Sequence, residues 1–155
     1  METLSRTLSS PLGHLLVTTD TQAIIALDFV EKGDCFHSDD HPLLDLAEQQ
    51  LKEYFEQQRD HFSLPLAPHG TPFQERVWAT LQTIPYGTTI SYAQESILMD
   101  HPKATRAVAN ANGHNPLSIL IPCHRVIASD GSLGGYSGGL WRKKYLLSLE
   151  GAVPK

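Results

Sequence analysis

The stretch SYAQESILMDHPKATRAVANANG, residues 91–113, predicts two short helices joined by a tight turn. Its first four residues form a capping box, in which serine and glutamine side chains satisfy the free N–H groups of a helix start, and this helix extends to about Met99. Pro102 opens the second helix, residues 103–112, and the glycine that follows terminates it. The pair forms a helix-turn-helix pattern. Most such pairs serve only as architecture, so the pattern leaves DNA binding and plain packing open.

The segment before this stretch predicts another helix with the same kind of start. Residues 71–74, Thr-Pro-Phe-Gln, form a second capping box with proline at the first helical position. Apolar side chains recur at helical spacing after it, which predicts one buried face, and Pro-Tyr-Gly at 85–87 ends the helix. The residues of the buried face are Phe73, Val77, Trp78, Leu81 and Ile84.

Farther towards the N-terminus the pattern changes to mixed α/β. Two short β-prone runs, 15–19 and 23–29, are separated by three polar residues and predict a hairpin. A helix begins at Pro42 and carries apolar side chains at helical spacing as far as Phe55. The proline-rich segment 64–70 is the best linker candidate.

On the C-terminal side, the apolar run 117–121 predicts a buried strand, and Pro-Cys-His-Arg follows it. A thiolate is a much better nucleophile than a thiol, and an adjacent base such as His124 favours the thiolate of Cys123. A carboxylate, Asp130 or Glu150, would fix the tautomer of that base. Neighbouring strand residues point to opposite faces, so contact needs a bend, which the proline makes plausible. The alternative is that both residues are buried and chemically inert.

A glycine-rich loop, residues 131–139, comes next and leads into the last helix, residues 140–149. Its glycines permit tight turns, or they let backbone N–H groups approach a flat ligand that stacks on Tyr136. The spacing matches no phosphate-binding glycine motif.

Charge is unevenly distributed along the 155 residues, whose net charge is −5. Residues 1–70 hold four basic and twelve acidic side chains, whereas residues 71–155 hold eight basic and five acidic ones. This asymmetry predicts an acidic scaffold with a mildly basic working surface, with chance as the alternative. No apolar run is long enough to span a membrane and no signal-peptide pattern is present, so we expect a cytoplasmic protein. Cys35, with two histidines nearby, lacks a second Cys/His pair, so no metal site is predicted.

The heptapeptide Ile-Pro-Cys-His-Arg-Val-Ile at 121–127 resembles the active-site signature of the O6-alkylguanine-DNA alkyltransferases. Other stretches resemble the family's first C-terminal helix, its recognition helix and following turn, its binding loop and its last helix. Together they cover residues 71–151 almost continuously. The matching stretches are TPFQ with VW at 71–78, IPYG at 84–87, RAV at 106–108, NP at 115–116, GYSGG at 135–139 and LLSLEG at 146–151.

The resemblance implies direct reversal of DNA damage without a cofactor or a metal. An alkyl group on O6 of guanine would move irreversibly to Cys123, once per molecule. An alkyl group on O4 of thymine is a second candidate substrate. His124 and Glu150 would activate the thiol, with a water between His124 and the sulfur. Asn115 would hold the turn that places this network.

The same resemblance implies the contacts to DNA. Tyr92 would contact the flipped guanine and help to rotate its nucleotide out of the stack, and Arg106 would fill the gap left there. Tyr136 would wall the pocket. The backbone N–H of Ser137 would face O6, within a binding loop that also includes Gly138. The backbone carbonyls of Cys123 and Val126 would accept hydrogen bonds from the guanine amino group.

The implied fold is α+β. A small N-terminal mixed α/β domain of ribonuclease-H-like type, residues 1–66, would precede a mainly helical catalytic domain of winged helix-turn-helix type, residues 71–155. We expect a monomer that binds double-stranded DNA through the minor groove. The chain departs from the family pattern at Glu95 and Ser96, which replace a more apolar stretch, and at Asp100, where many members have glycine.

Three other functions compete with this interpretation. An alkyltransferase-like module binds alkylated DNA without catalysis but lacks the acceptor cysteine, which is present here. A cysteine hydrolase would need a substrate cleft and a deacylating water. A plain helix-turn-helix regulator would leave the segment around Cys123 without a reason.

Overall fold

The computed structural model describes residues 2–31 and 36–152, which form two compact units. The first unit contains the chain as far as His69 together with Pro116–Leu120, and the second contains Gly70–Asn115 and the chain from Ile121 onward. The functional domains predicted at residues 1–66 and 71–155 stay a prediction.

A three-stranded antiparallel sheet forms the first unit, with the order β1 (Leu4–Ser10), β2 (Gly13–Thr19) and β3 (Ile24–Val30). The predicted hairpin is β2–β3, and the Asp20 carboxylate closes its turn by accepting two backbone N–H groups. Strand β1 was not predicted, because its sequence LSRTLSS is mostly polar and shows little alternation.

Helix α1 (Pro42–Phe55) packs against this sheet and begins where the sequence predicts. His41 caps it, since its Nδ1 accepts from the Leu43 N–H at 3.1 Å. On the sheet, Arg6 forms ion pairs with two carboxylates of α1, Asp45 and Glu48. Buried apolar side chains from both elements form the core of the unit: Leu8, Leu12, Leu15, Val17, Ile24, Leu27, Leu44, Ala47, Leu51 and Tyr54.

The strand predicted at residues 117–121 is wrong. Only Leu117 forms a bridge, parallel to Leu27, and the Leu27 N–H donates to the Pro116 carbonyl at 2.9 Å. The next residues turn, and Ile119 has a φ of +72°, which a continuous strand does not contain. The run is nevertheless buried, because a turn inside a core needs apolar side chains as much as a strand does.

The second unit is mainly helical. Its helices are α2 (Pro72–Leu81), α3 (Tyr92–Leu98), α4 (Thr105–Gly113) and α5 (Leu140–Leu149), and a short parallel pair joins β4 (Ile90–Ser91) to β5 (Val126–Ile127). Both predicted capping boxes are present, at the starts of α2 and α3. Helix α4 starts two residues later than predicted.

Helices α2, α3 and α4 pack on one another and hold the helix-turn-helix in place. The Trp78 indole N–H donates to the Ala111 carbonyl at 2.9 Å, which ties α2 to α4 inside the core. Asp100 occupies the turn with a φ of +63°, a conformation that glycine adopts without strain and aspartate tolerates. The longest helix in the described chain has 14 residues, and none there meets the length and hydropathy that a bilayer crossing demands.

Candidate active site

A single 3-10 turn, Cys123–Arg125, brings the reactive side chains together. Pro122 ends the preceding segment with φ −83° and ψ 64°, so the bend that the sequence requires at this point is present. The Asn115 side-chain amide donates to the Ile121 carbonyl at 2.8 Å and so holds the chain immediately before the turn. Cys123 is only 6% exposed.

Cys123 lines a cavity of about 320 Å³. Its mouth and walls come from α3, α4 and the glycine-rich loop. The lining residues are Tyr92, Ala109, Asn112, Gly113, Cys123, Gly135, Tyr136 and Ser137. The cavity has the size and the aromatic walls that a flat heterocyclic ligand requires.

Gly134 allows the loop to pass close to Tyr92. A Cβ atom added at Gly134 would lie 2.8 Å from the tyrosine hydroxyl oxygen, and the residue has a φ of +72°. Both the contact and the backbone conformation therefore require glycine at this position.

A buried network of side chains begins at His124, the residue that follows Cys123. His124 Nε2 is 2.8 Å from Glu150 Oε2, and both side chains are inaccessible to solvent. Arg125 donates to both oxygens of the same carboxylate, at 2.8 and 3.1 Å, and to the Ile84 carbonyl at 2.7 Å. Although burial raises it, hydrogen bonds from His124 and Arg125 lower the pKa of Glu150 to about 2, so the carboxylate is ionised.

This carboxylate determines which ring nitrogen of His124 acts as the base. Burial lowers the pKa of His124, against the opposing effect of Glu150, so the imidazole is neutral. An ionised carboxylate only accepts hydrogen bonds, so Nε2 carries the hydrogen and Nδ1 keeps its lone pair. Nδ1 is buried and has no hydrogen-bond partner in the described part of the chain.

The thiol is held mainly in its protonated form. Burial raises the pKa of Cys123, while a hydrogen bond from Asn115 and the positive charge of Lys143 lower it. Lys143 is itself fully buried and donates to the carbonyls of Val126, at 2.6 Å, and Gly135, at 3.1 Å. Burial lowers the pKa of Lys143 to about 8.

Two family models match the chain. The DNA-binding domain of 6-O-methylguanine DNA methyltransferase matches residues 72–152, and the ribonuclease-like domain of the same protein matches residues 4–68. The chain belongs to this methyltransferase family. The family predicted from the sequence is therefore confirmed.

Relatives of known name support the same assignment. The constitutive methylated-DNA–protein-cysteine methyltransferase of Bacillus subtilis is 42% identical over 93% of each chain. The crystal structure of the Mycobacterium tuberculosis O6-methylguanine methyltransferase has a TM-score of 0.88 and 39% identity, and covers 99% of this chain and 96% of its own. A crystal structure of Mycobacterium tuberculosis OGT in complex with DNA has a TM-score of 0.86 and 42% identity, over 96% of this chain and 92% of that one. The predicted α+β class is also confirmed.

The site residues implied by the family resemblance fall into three groups. Tyr92, Tyr136 and Ser137 line the cavity with Cys123. His124, Glu150 and Asn115 form the hydrogen bonds described above. The other three do not line the cavity: Val126 is buried, Arg106 is exposed on α4, and the Gly138 carbonyl accepts from Arg142.

Sequence reasoning missed four residues that shape the site of this methyltransferase family member. Arg125 stands in the signature beside Cys123, and that adjacency was the available signal. Lys143 gave none, because a lysine in a surface-type helix is normally solvated. Asn112 and Glu95 are joined across α4 and α3 by a hydrogen bond of 2.7 Å, and only the fold reveals that contact.

No group of three or more metal-ligating side chains occurs in residues 2–31 and 36–152. Of the three residues in the weak Cys/His cluster, Cys35 lies outside the described residues.

Proposed function

We propose that this chain repairs DNA by transferring an alkyl group from O6 of guanine to the sulfur of Cys123, irreversibly and once per molecule. One observation carries the proposal: Cys123 lines a cavity of about 320 Å³, and His124, the next residue in the same turn, is hydrogen bonded to the buried carboxylate of Glu150. Family membership supplies the reaction class, and this arrangement supplies the nucleophile and its base.

The chemistry follows from the protonation states. The thiol proton passes to His124 Nδ1, across one bridging water, and Glu150 stabilises the imidazolium that forms. The thiolate attacks the alkyl carbon, so a carbon–sulfur bond forms while the bond from carbon to O6 breaks. The electron pair of the broken bond stays on the purine. The purine takes up a proton and is restored to unmodified guanine within the DNA.

The product explains why each molecule reacts only once. A thioether is chemically stable, and the neutral hydroxyl groups of the serine and tyrosines that line the cavity are too weak as nucleophiles to remove the alkyl group. Lys143 and Asn115 favour the thiolate, but burial has the larger effect and keeps the thiol protonated. The thiol therefore reacts when His124 takes its proton while the substrate lies beside the sulfur.

DNA contacts complete the proposal. Cys123 is buried, so the damaged base must leave the stack to reach it, at a cost of a few kcal/mol. Tyr92 contacts the flipped guanine, Tyr136 walls the pocket, and the Ser137 N–H faces O6. Exposed Arg106 fills the gap in the stack from the minor groove, which offsets part of that cost. The Mycobacterium tuberculosis relative in complex with DNA supports DNA as the partner.

The remaining contacts involve the backbone. The Val126 carbonyl accepts from Lys143, and its second lone pair is available for the guanine amino group. The Cys123 carbonyl accepts from the Val126 N–H and has the same capacity. The Gly138 carbonyl accepts from Arg142 of α5 at 2.8 Å, which holds this part of the binding loop to the last helix. We expect the protein to act as a monomer in the cytoplasm.

Intact-protein mass spectrometry tests this function. The protein is incubated with a duplex that contains one O6-methylguanine, beside Cys123→Ser and the control Cys35→Ser. The proposal requires a stoichiometric gain of one methyl group, mapped to Cys123, in the unchanged chain and in Cys35→Ser only. Tight binding of the damaged duplex without any mass gain would instead support the non-catalytic alkyltransferase-like module.

A further inference from the structure

Glu95 belongs to the helix-turn-helix, yet its side chain is fully buried. Its Oε1 accepts from the Asn112 amide at 2.7 Å, and its Oε2 has no partner within the described residues. The next residue, Ser96, is also buried and donates to the Thr105 hydroxyl at 3.1 Å. The polar pair that departs from the family pattern is therefore tied to α4 by two hydrogen bonds.

Asn112 links this buried carboxyl group to the reaction cavity. It lines the cavity together with Cys123 and is only 6% exposed. Because Glu95 takes a hydrogen bond through Oε1, the nitrogen end of the Asn112 amide must face it. The carbonyl end, Oδ1, is then directed elsewhere and has no partner among the residues described. Glu95 thus fixes the orientation of an amide at the cavity wall.

The charge of Glu95 also acts on the nucleophile. Burial is the main cause that raises the pKa of Cys123 and that of Tyr92, one turn earlier on α3, and an ionised Glu95 raises both further. Lys143, from α5, has the opposite effect on Cys123. Glu95 forms no ion pair in the described chain.

The other charged groups on the elements packed against α3 are engaged or solvated. Arg106, on α4, is exposed. Arg76, on α2, is exposed and donates to the Met99 carbonyl, with its other nitrogen 3.1 Å from His101. Strands β4 and β5 contain only isoleucine, serine and valine.

We propose that Glu95 is a positioning residue for the alkyl transfer: its carboxylate orients the Asn112 amide in the cavity wall that Cys123 shares, and its charge acts on the thiol from behind that amide. This inference rests on the function proposed above. Burial raises the pKa of Glu95 to about 7, against the opposing effect of Asn112, so its charge changes near neutrality. Thiolate formation should therefore become harder, relative to a chain without this charge, as the pH rises through about 7.

Two substitutions separate the two roles. Glu95→Gln keeps an acceptor oxygen for Asn112 but removes the charge, whereas Glu95→Leu removes both. Glu75→Gln, at an exposed carboxylate of α2, is the matched control. All variants are made in a Cys35→Ser background so that one thiol titrates, and urea unfolding checks that each variant folds.

The readouts are the single-turnover rate of methyl transfer from the O6-methylguanine duplex, from about pH 5.5 to about pH 9, and thiolate absorbance without DNA, followed to about pH 11 because the pKa of Cys123 is raised. The ratio of the Glu95→Gln rate to the unsubstituted rate should be near one at the acid end. It should rise to about tenfold at the alkaline end, with the Cys123 titration about one unit lower in Glu95→Gln. Glu95→Leu should react about threefold more slowly than Glu95→Gln at every pH, because Asn112 loses its hydrogen bond.

Each result decides one part of the proposal. Identical thiol titrations and pH profiles for the unsubstituted chain and Glu95→Gln would overturn the role of the charge. Equal rates for Glu95→Leu and Glu95→Gln would overturn the positioning of Asn112. If the unsubstituted chain gains no methyl group at all, the proposed function fails, while the thiol titration still decides the effect of the charge.

Discussion

Arg125 donates hydrogen bonds to both carboxylate oxygens of Glu150, with Nε 2.8 Å from Oε1 and Nη2 3.1 Å from Oε2. The carboxylate that orients His124 is thus itself held in a fixed plane. A planar, two-point contact of this kind is specific to arginine, since an ammonium group offers a single point of charge.

Arg125→Lys should therefore weaken both the fold and the reaction. The charge is kept, but one of the two contacts to Glu150 and the bond to the Ile84 carbonyl are lost, which should cost about 1–3 kcal/mol of unfolding free energy. Urea unfolding measures this loss. Alkyl transfer should slow by more than tenfold, because a carboxylate that is held at only one oxygen orients His124 poorly. Unchanged rates in a destabilised variant would assign Arg125 a purely structural role.

Gly134→Ala tests the approach of the loop to Tyr92. The added methyl group would lie 2.8 Å from the Tyr92 oxygen, so the ring must shift, and the positive φ adds a strain of about 1 kcal/mol. Gly131→Ala is the control, since Gly131 has a φ of +89° but nothing within 4 Å of an added Cβ. Both variants should lose stability through the backbone strain, Gly134→Ala more because of the contact with Tyr92, and only Gly134→Ala should lose affinity for a duplex with a flipped base. Equal affinities would contradict a role of Tyr92 in binding.

Lys143→Met should make the thiol of Cys123 less acidic. The ammonium group lowers the pKa of Cys123, and a methionine of similar length keeps most of the packing. The thiolate titration should move to higher pH, and transfer at neutral pH should slow by about tenfold. Lys144→Met, at the exposed neighbouring position, should change neither quantity. A shift of equal size in both variants would mean that overall charge, not proximity, controls the thiol.

The pH dependence of stability should show two opposite contributions from buried carboxyl groups. The pKa of Glu150 is lowered to about 2 from 4.5, so its contribution is present above about pH 4.5 and is lost as the pH falls towards 2. The pKa of Glu95 is raised to about 7 from the same value, so its protonated form favours the folded state, and that stability is lost as the pH rises from about 4.5 through 7.

Comparison with Glu95→Gln isolates the second contribution. Between about pH 5 and pH 8 the unsubstituted chain should lose about 2–3 kcal/mol of unfolding free energy relative to that variant. Urea titrations at several pH values provide the measurement. Parallel curves would show that Glu95 is not buried as an ionisable group.

Local signals predicted much of the fold. Thr71 and Ser91 each satisfy a capping box within four residues, and the turn after Thr19 closes a hairpin within three, so these elements need no information from distant parts of the chain. The run from Leu117 was misassigned because burial selects apolar residues in turns and strands alike. Family resemblance gave the α+β class and the reaction, which the comparisons confirm.

Contacts between distant residues could not be predicted in this way. Lys143 meets the carbonyl of Val126, 17 positions earlier, and Glu95 meets Asn112, 17 positions later. Both are ionisable residues in short helices, where composition favours a solvated side chain. The individual roles assigned to the site residues remain predictions until the variants above are measured.

The burial of Cys123 has a consequence for how long the protein remains useful before it meets damage. A side chain that reacts once is lost for repair if an oxidant or another electrophile reacts with it first, and both react with the thiolate. Because Cys123 is only 6% exposed and its pKa is raised, the sulfur stays a protonated and weakly reactive thiol. Selectivity then comes from admission to the cavity, and the molecule keeps its single equivalent of reactivity for a base that enters it.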